Sequence, residues 1–173
     1  MGNFKEDIRK VKAFVFDVDG VFTDGSVHLF PNGDIIRTMN IKDGYACQYA
    51  IKKGYPIAII TGGDSEPVRW RFERLGINDI YLKSDSKMKA YEDFLKKYSL
   101  KNEEIMYMGD DIPDYEVMHK VAVPVCPSDA AEEVKSISAY ISYKEGGKGC
   151  VRDVIEQVLR VQGKWLETDA FQW

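Results

Sequence analysis

The chain has 173 residues, of which 45% are hydrophobic and 30% are charged. This length fits one domain and excludes a second large one, and the apolar content is too high for a disordered chain. With 24 basic and 28 acidic residues the net charge is −4, so a nonspecific nucleic-acid binder is not expected. The sequence contains neither a long apolar run nor a secretory pattern near Met1, which predicts a cytoplasmic protein without a membrane partner.

The three cysteines, Cys47, Cys126 and Cys150, are far apart in the sequence and form no Cys-x-x-Cys pair. This spacing argues against a zinc site and against a disulfide framework. We therefore expect all three to be small buried apolar side chains.

Apolar, β-branched segments alternate along the chain with segments of helical periodicity. Six segments are typical of strands: residues 12–17, 56–60, 80–82, 105–109, 121–125 and 139–142. The segments between and after them predict helices: residues 43–53, 65–75, 86–98, a short one after 114, 130–136 and 151–160. Continuous apolar strands alternating with helices indicate a parallel sheet with helices on both faces.

A β-hairpin is predicted between the first strand and the first helix. Residues 26–30 and 34–39 are short extended segments joined by Pro31-Asn32-Gly33, and Asn-Gly is the strongest short hairpin signal. The insertion spans about residues 24–40. We predict an α/β fold with a Rossmann-like doubly wound parallel sheet in a single domain over residues 1–165.

A short tail over residues 166–173 completes the chain. Trp165, Phe171 and Trp173 lie in or beside this tail, and a solvated tail would not need such aromatic side chains. We therefore predict that they dock on another surface.

Reactive side chains follow four of the predicted strands. In an open parallel sheet, ligands bind beyond the carboxyl ends of the strands, so these residues converge on one edge: Asp17, Asp19, Thr61, Lys87, Asp110 and Asp111. Carboxylates brought so close together repel one another unless they surround a hard cation such as Mg²⁺. A lysine and a hydroxyl beside that cation are suited to a phosphoryl group.

No Gly-x-x-x-x-Gly-Lys-Ser/Thr loop is present, so nucleotide hydrolysis by the P-loop route is excluded. Residues 146–149, Gly-Gly-Lys-Gly, are glycine-rich but lack that pattern. They could form a flexible turn before the last helix or close over a substrate, and the sequence leaves both interpretations open.

Four motifs in this order resemble those of the haloacid dehalogenase-like phosphatases: Asp17-x-Asp19-Gly-Val, Thr61-Gly62, Lys87 and Gly109-Asp-Asp-x-x-Asp114. Further stretches at residues 40–44, 60–62 and 146–152 resemble the branch that acts on phosphorylated 3-deoxy sugar acids in the synthesis of lipopolysaccharide precursors. That resemblance covers residues 10–165. Members of this branch have no cap domain, which agrees with a small hairpin in its place.

The resemblance implies a catalytic role for each motif. Asp17 would be the nucleophile that forms an aspartyl-phosphate, and Asp19 the general acid and base. Mg²⁺ would be held by Asp17, the backbone carbonyl of Asp19, and Asp110. Thr61 and Lys87 would bind phosphoryl oxygens.

The resemblance also implies supporting roles for residues near the catalytic ones. Asp111 would bind the metal through water or support its ligands, and Asp114 would cap its helix or orient Lys87. Gly62 and Asp43 are assigned to the substrate site.

Arg71 or Arg74 could bind the sugar carboxylate, with a solvated basic helix face as the alternative. By the same resemblance the protein would be a homotetramer in which a neighbour's hairpin covers each site.

Several alternatives stay open or are excluded. The substrate could be a nine-carbon instead of an eight-carbon sugar acid phosphate, although Gly63 favours the shorter one. A binding module of this fold without catalysis is also possible. A phospho-receiver has these residues in a different order along the chain, and a phosphomutase needs a larger cap.

Overall fold

The computed structural model describes residues 3–171. Its strands are β1 (Ala13–Phe16), β2 (His28–Leu29), β3 (Ile35–Ile36), β4 (Ile57–Ile60), β5 (Asp79–Tyr81), β6 (Ile105–Met108), β7 (Val123–Cys126) and β8 (Tyr140–Ile141). Six of them form one parallel sheet in the order β5-β4-β1-β6-β7-β8. The predicted doubly wound α/β fold is therefore confirmed, with β1 at the point where the strand order reverses.

Helices cover both faces of this sheet. They are α1 (Phe4–Asp7), α2 (Ile41–Lys52), α3 (Glu66–Arg74), α4 (Lys87–Tyr98), α5 (Tyr115–Met118), α6 (Glu132–Ile137) and α7 (Cys150–Val161). One core packs α2, α3 and α7 against β1 side chains such as Phe14 and Phe16, and the other packs α4, α5 and α6 against Ala13 and Val15. All four residues of β1 are buried because successive side chains alternate between the two cores.

The helix boundaries follow from local capping. Asn40 accepts a hydrogen bond from the backbone N–H of Lys42 at 2.9 Å, so α2 begins two residues before the predicted start at Asp43. Pro67 lies in the first turn of α3, and α4 ends where Ser99 adopts a left-handed conformation with φ of 53°. Of the helices within residues 3–171, none combines the length and apolar character that crossing a membrane requires.

The inserted hairpin pairs β2 with β3 in antiparallel register, as the sequence predicts, although each strand is only two residues long. Gly33 has a φ of 89° in the connecting turn. Both strands are exposed, and the hairpin side chains Val27, Leu29, Phe30, Ile35 and Ile36 are all largely accessible to solvent.

The C-terminal segment packs on α2. Trp165 meets the ring of Tyr49 edge-on at 5.4 Å between centroids, and Lys53 forms ion pairs with Glu167 at 2.6 Å and Asp169 at 2.5 Å. The docking predicted for Trp165 is thus confirmed. Phe171, in contrast, is 81% exposed, and Trp173 lies outside the described residues.

Two short helices near the ends of the chain are not predicted by sequence analysis. The helix α1 and the 3-10 helix Thr168–Phe171 have no periodic pattern long enough to predict them. The three cysteines are buried and unpaired, as expected.

Candidate active site

Asp17 follows β1 directly and faces a cavity of about 660 Å³ beyond the carboxyl ends of β1, β4 and β6. Its backbone N–H donates to the carbonyl of Met108 at 3.0 Å, which extends the pairing of β1 with β6 by one residue. The residue is 7% exposed. The sheet therefore fixes Asp17 at the cavity floor.

Lys87, the first residue of α4, reaches two carboxylates at once. Its Nζ lies 2.9 Å from Oδ1 of Asp17 and 2.7 Å from Oδ1 of Asp114. Tyr107, from the middle of β6, donates its hydroxyl to the same Oδ1 of Asp114 at 2.5 Å. Asp114 thus contacts Lys87 directly, and its side chain makes no capping hydrogen bond to α5. Of the two roles predicted for Asp114, this contact favours orienting Lys87.

Asp110 completes a group of acids at the end of β6. One carboxylate oxygen each from Asp17, Asp110 and Asp114 lies within 4.8 Å of the others, and we call these three residues the carboxylate cluster. Asp110 also receives a backbone constraint, because its N–H donates to Oδ2 of Asp114 at 3.3 Å. The cluster contains only carboxylate oxygens, the ligands that Mg²⁺ prefers.

Burial, and next to it the crowding of negative charge, raises the pKa of two acids of the cluster, Asp17 and Asp110. Burial, together with the charge of Asp114, raises the pKa of Asp17 to about 7 although Lys87 opposes the shift. Burial and the charges of Asp17 and Asp114 likewise raise the pKa of Asp110 to about 8. A single lysine does not balance these acids, so the donor set fits a divalent cation.

The backbone approaches the cluster closely at Gly20. This residue has a φ of 85°, and a Cβ built on it would lie 1.9 Å from Oδ2 of Asp110. The loop after β1 is held further by buried Thr23, whose Oγ1 accepts the N–H groups of Gly20 at 3.3 Å and Gly25 at 3.1 Å. Only glycine allows the loop to pass over Asp110 in this way.

The glycine-rich segment before α7 lies on that same loop. The N–H of Gly147 donates to the carbonyl of Val21 at 2.9 Å, and a Cβ on Gly146 would lie 2.1 Å from the carbonyl oxygen of Gly20. Backbone therefore packs directly on backbone. Gly146 and Gly147 serve here as a support for the loop after β1.

Asp19 lies on the cavity wall instead of in the cluster. Its carboxylate is paired with Arg37, one residue beyond β3, with Nε to Oδ1 at 2.7 Å and Nη2 to Oδ2 at 3.0 Å. The hydrogen bonds to Asp19, and its negative charge, raise the pKa of Arg37 by more than burial lowers it. The guanidinium therefore stays protonated.

The turn after β4 lines the cavity next to Asp19, since a Cβ built on Gly63 would lie 3.6 Å from Oδ2 of Asp19. Oγ1 of Thr61 accepts the N–H of Gly63 at 3.1 Å, and the Thr61 carbonyl accepts the N–H of Ser84 at 3.0 Å. Gly62 and Gly63 line the cavity beside Thr61. This wall presents a hydroxyl and backbone N–H groups, which suit an anion.

The remaining predicted residues differ in position. Asp111 lines the cavity rim, where its Oδ1 accepts the N–H of Ile112 at 2.8 Å. The other three, Asp43, Arg71 and Arg74, are not among the residues that line this cavity.

Asp43 is completely buried, and its Oδ1 accepts the N–H of Arg152 at 2.7 Å in the first turn of α7. Arg71 lies against α2, since a Cβ on Gly44 would be 2.4 Å from its Nη2, and Arg74 is exposed. Within a single chain, therefore, the structure does not bring these three to the phosphoryl site.

Sequence reasoning misses Arg37, Thr23 and Tyr107. Arg37 comes from a short exposed hairpin, and Tyr107 stands within a strand that reads as continuously apolar. A polar tip inside an apolar strand was the one available signal for Tyr107.

Comparison with known proteins supports the resemblance. The family model of the haloacid dehalogenase-like hydrolases matches residues 65–151. The 3-deoxy-D-manno-octulosonate 8-phosphate phosphatase KdsC of Salmonella typhi is 35% identical over 154 residues, which are 89% of this chain and 82% of KdsC.

Two solved structures are closely similar. The 3-deoxy-D-manno-octulosonate 8-phosphate phosphatase of Yersinia pestis is 30% identical with a TM-score of 0.92, covering 94% of this chain and 88% of that one. The corresponding phosphatase of Moraxella catarrhalis, solved with magnesium, phosphate and KDO, is 31% identical with a TM-score of 0.91 and 95% coverage of both chains.

Proposed function

Because the chain belongs to the haloacid dehalogenase-like hydrolases, in the branch of the 3-deoxy-D-manno-octulosonate 8-phosphate phosphatases, we propose that it hydrolyses this phosphate ester. The products would be KDO and phosphate, and the reaction would be Mg²⁺-dependent. The observation that carries the proposal is the chain of contacts from Asp17 through Lys87 to Asp114 beneath the cavity, with Asp19 two residues beyond the nucleophile.

In the first step, Asp17 attacks phosphorus through a carboxylate oxygen. The ester bond between phosphorus and the sugar oxygen breaks, and its electron pair leaves with that oxygen, which takes a proton from Asp19. Lys87 orients Asp17 by its 2.9 Å ion pair and balances negative charge as the phosphoryl group transfers.

In the second step, water attacks the phosphorus of the aspartyl-phosphate. Asp19 accepts the proton of that water, and the bond from phosphorus to Asp17 breaks to regenerate the carboxylate. The hydroxyl of Thr61, whose oxygen accepts the N–H of Gly63, donates its own hydrogen to a phosphoryl oxygen, and the N–H of Gly62 binds another in both steps.

Asp17, Asp110 and the carbonyl of Asp19 would hold Mg²⁺, and Asp111, which also lines the cavity, would act through water. When bound, the cation supplies positive charge to the phosphoryl oxygens and offsets the repulsion between the two carboxylates. Asp114 stays with Lys87 and Tyr107, because its oxygens already accept three hydrogen bonds.

We further propose a homotetramer in which the hairpin of one subunit covers the cavity of its neighbour. The hairpin exposes apolar side chains on both strands, with Leu29 74% accessible, and an isolated two-stranded hairpin of this kind gains stability from burial. Such an arrangement would also bring residues of a second subunit, including Arg71 or Arg74 if they bind the carboxylate, to the substrate. A solution mass of four chains by light scattering would support it, and a monomer at enzyme assay concentrations would contradict it.

The deciding experiment measures phosphate release with Mg²⁺ from the eight-carbon substrate, its nine-carbon analogue and 4-nitrophenyl phosphate. We expect preference for the eight-carbon ester and a loss on the order of 10⁴-fold in Asp17→Asn. Asp7→Asn in α1, far from the cavity, is the matched control. Preference for the nine-carbon ester would keep the mechanism and change the substrate, and no release from any ester would indicate a binding module.

A further inference from the structure

Arg37 joins the hairpin to Asp19 through a fork of two hydrogen bonds. Nε donates to Oδ1 at 2.7 Å and Nη2 to Oδ2 at 3.0 Å, so both oxygens of one carboxylate are held by one planar group. The Arg37 side chain is only 12% exposed, whereas that of Asp19 is 37% exposed. The arginine is thus the more deeply buried member of the pair.

Within residues 3–171, Asp19 has no other ion-pair partner. Lys87 is committed to Asp17 and Asp114, and Lys83 pairs with Asp64 at 2.7 Å. Val18, Val68 and Leu82 line one part of the small pocket around the fork, and Thr61, Gly63 and Ser65 line the rest. The N–H of Gly63 donates to Oγ1 of Thr61 at 3.1 Å, so Arg37 is the charged group that holds the carboxylate of Asp19. Without Arg37, the carboxylate of Asp19 would lose both hydrogen bonds of the fork, and its orientation would no longer be fixed by an ion pair.

We infer that Arg37 is a positioning residue that aims the carboxyl group of Asp19 at the leaving oxygen. The inference rests on the proposed role of Asp19 as acid and base. An acid that protonates a leaving group must lie within hydrogen-bond reach of it, and misplacement by about 1 Å is enough to slow such a step about a hundredfold.

The fork orients Asp19 without blocking proton transfer. A carboxylate offers about four lone-pair positions on its two oxygens, and a bidentate arginine uses one on each. The remaining positions can carry the proton that passes to the sugar oxygen in the first step and comes from water in the second. Arg37 itself gives up no proton, because a guanidinium stays charged.

The leaving group distinguishes positioning from a structural role. A sugar alkoxide needs a proton as it departs, whereas 4-nitrophenolate is stable without one, and kcat/KM reports the step in which either departs. We expect Arg37→Gln to lower kcat/KM at least tenfold for the sugar phosphate but less than threefold for 4-nitrophenyl phosphate. KM for the sugar phosphate should change little, and Arg37→Lys should recover part of the loss.

Two further variants complete the experiment. In an Asp19→Asn background, Arg37→Gln should have no additional effect, because the group that it positions is gone. Arg9→Gln, an exposed arginine after α1, is the matched control, and the thermal unfolding midpoint of each variant monitors folding.

An equal fall with both substrates, or no fall with either, would overturn the inference while leaving the phosphatase function in place. An additive effect in the Asp19→Asn background would also overturn it. A parent protein that releases no phosphate from any ester would overturn the proposed function, and the inference with it.

Discussion

The carboxylate cluster lines the cavity, whereas the hairpin reaches the cavity wall through Arg37, and different interactions hold the two regions. The cluster is buried, and its acids receive hydrogen bonds from β6 and α4. The hairpin has two exposed strands and contacts the cavity wall through the fork between Arg37 and Asp19. The core of the fold therefore fixes the residues of the phosphoryl site, while the hairpin strands are exposed in the single chain.

Replacing Lys87, which pairs with two acids of the carboxylate cluster, should have the largest effect on the free energy of unfolding. Lys87→Met leaves Asp17 and Asp114 facing each other without compensation, and breaking a buried pair lowers the free energy of unfolding by about 3–5 kcal/mol. Part of this loss should return with saturating Mg²⁺, which binds only the folded cluster. Urea unfolding with EDTA and with Mg²⁺ measures both quantities.

Lys89→Met, two residues further along α4 and exposed, is the control. If both variants lost the same free energy of unfolding, the ion pairs of Lys87 with Asp17 and Asp114 would not stabilise the folded protein.

The contact between the first turn of α2 and the N-terminus of α7 should make stability depend on pH. Asp43 lies just after the hairpin, and burial raises its pKa to about 6 from 3.8, against the hydrogen bonds from Arg152 and Gly149. The folded protein therefore retains a proton that the unfolded chain has lost. The contribution of Asp43 to stability falls as pH rises from about 4 to 6 and is fully lost above, a change of about 3 kcal/mol.

Asp43→Asn should remove this dependence. The free energy of unfolding of the variant, minus that of the parent, should therefore increase as pH rises from about 4 to 6. Chemical unfolding at pH 4, 5, 6 and 7 tests this, and a constant difference between the two proteins would contradict it.

A smaller loss of stability is expected from substitutions at Gly20, where the backbone passes close to Asp110. In Gly20→Ala the new methyl group meets Asp110, whereas in Gly25→Ala it meets nothing within 4 Å, and both residues have positive φ, 85° and 76°. We expect Gly25→Ala to lower the free energy of unfolding by about 1 kcal/mol and Gly20→Ala by about 2 kcal/mol. Only Gly20→Ala should raise the Mg²⁺ concentration for half-maximal activity.

Unfolding curves and Mg²⁺ titrations of the two variants provide the comparison. Equal Mg²⁺ requirements would mean that Asp110 does not hold the metal.

The hairpin should show the smallest change in subunit stability. Leu29→Ser alters an exposed side chain, so the free energy of unfolding of the isolated subunit should change by less than about 0.5 kcal/mol. The solution mass should nevertheless fall, because the proposed contact with a neighbouring subunit is lost. Light scattering tests this, with exposed Ile141→Ser as control; a tetramer that survives unchanged would place the interface elsewhere.

Sequence analysis could predict the features that strand order determines. Asp17, Thr61, Lys87 and Asp110 meet because parallel strands end at one edge, and that rule needs no side-chain detail. The short hairpin strands and the helix α1 were harder, because few residues define them. Their lengths depend on packing that no local pattern records.

Contacts between distant residues could not be predicted. Arg37 reaches Asp19 across 18 residues, and Asp43 meets the N-terminus of α7 across 109. Nothing in the hairpin marks Arg37 as different from any surface arginine, and Asp43 looks like an ordinary residue of a first helical turn. Such pairings depend on how the elements pack, which periodicity does not determine.

The contact of Gly146 and Gly147 with the loop after β1 has a consequence for synthesis of the chain. A nascent chain that has emerged through residue 114 already carries every acid of the carboxylate cluster, but the backbone that supports Gly20 and Val21 has yet to be made. Since domains fold as cooperative units during translation, activity in a timed cell-free synthesis should emerge only after α7 has left the ribosome. The loop after β1 thus depends on residues that are synthesised after every acid of the cluster.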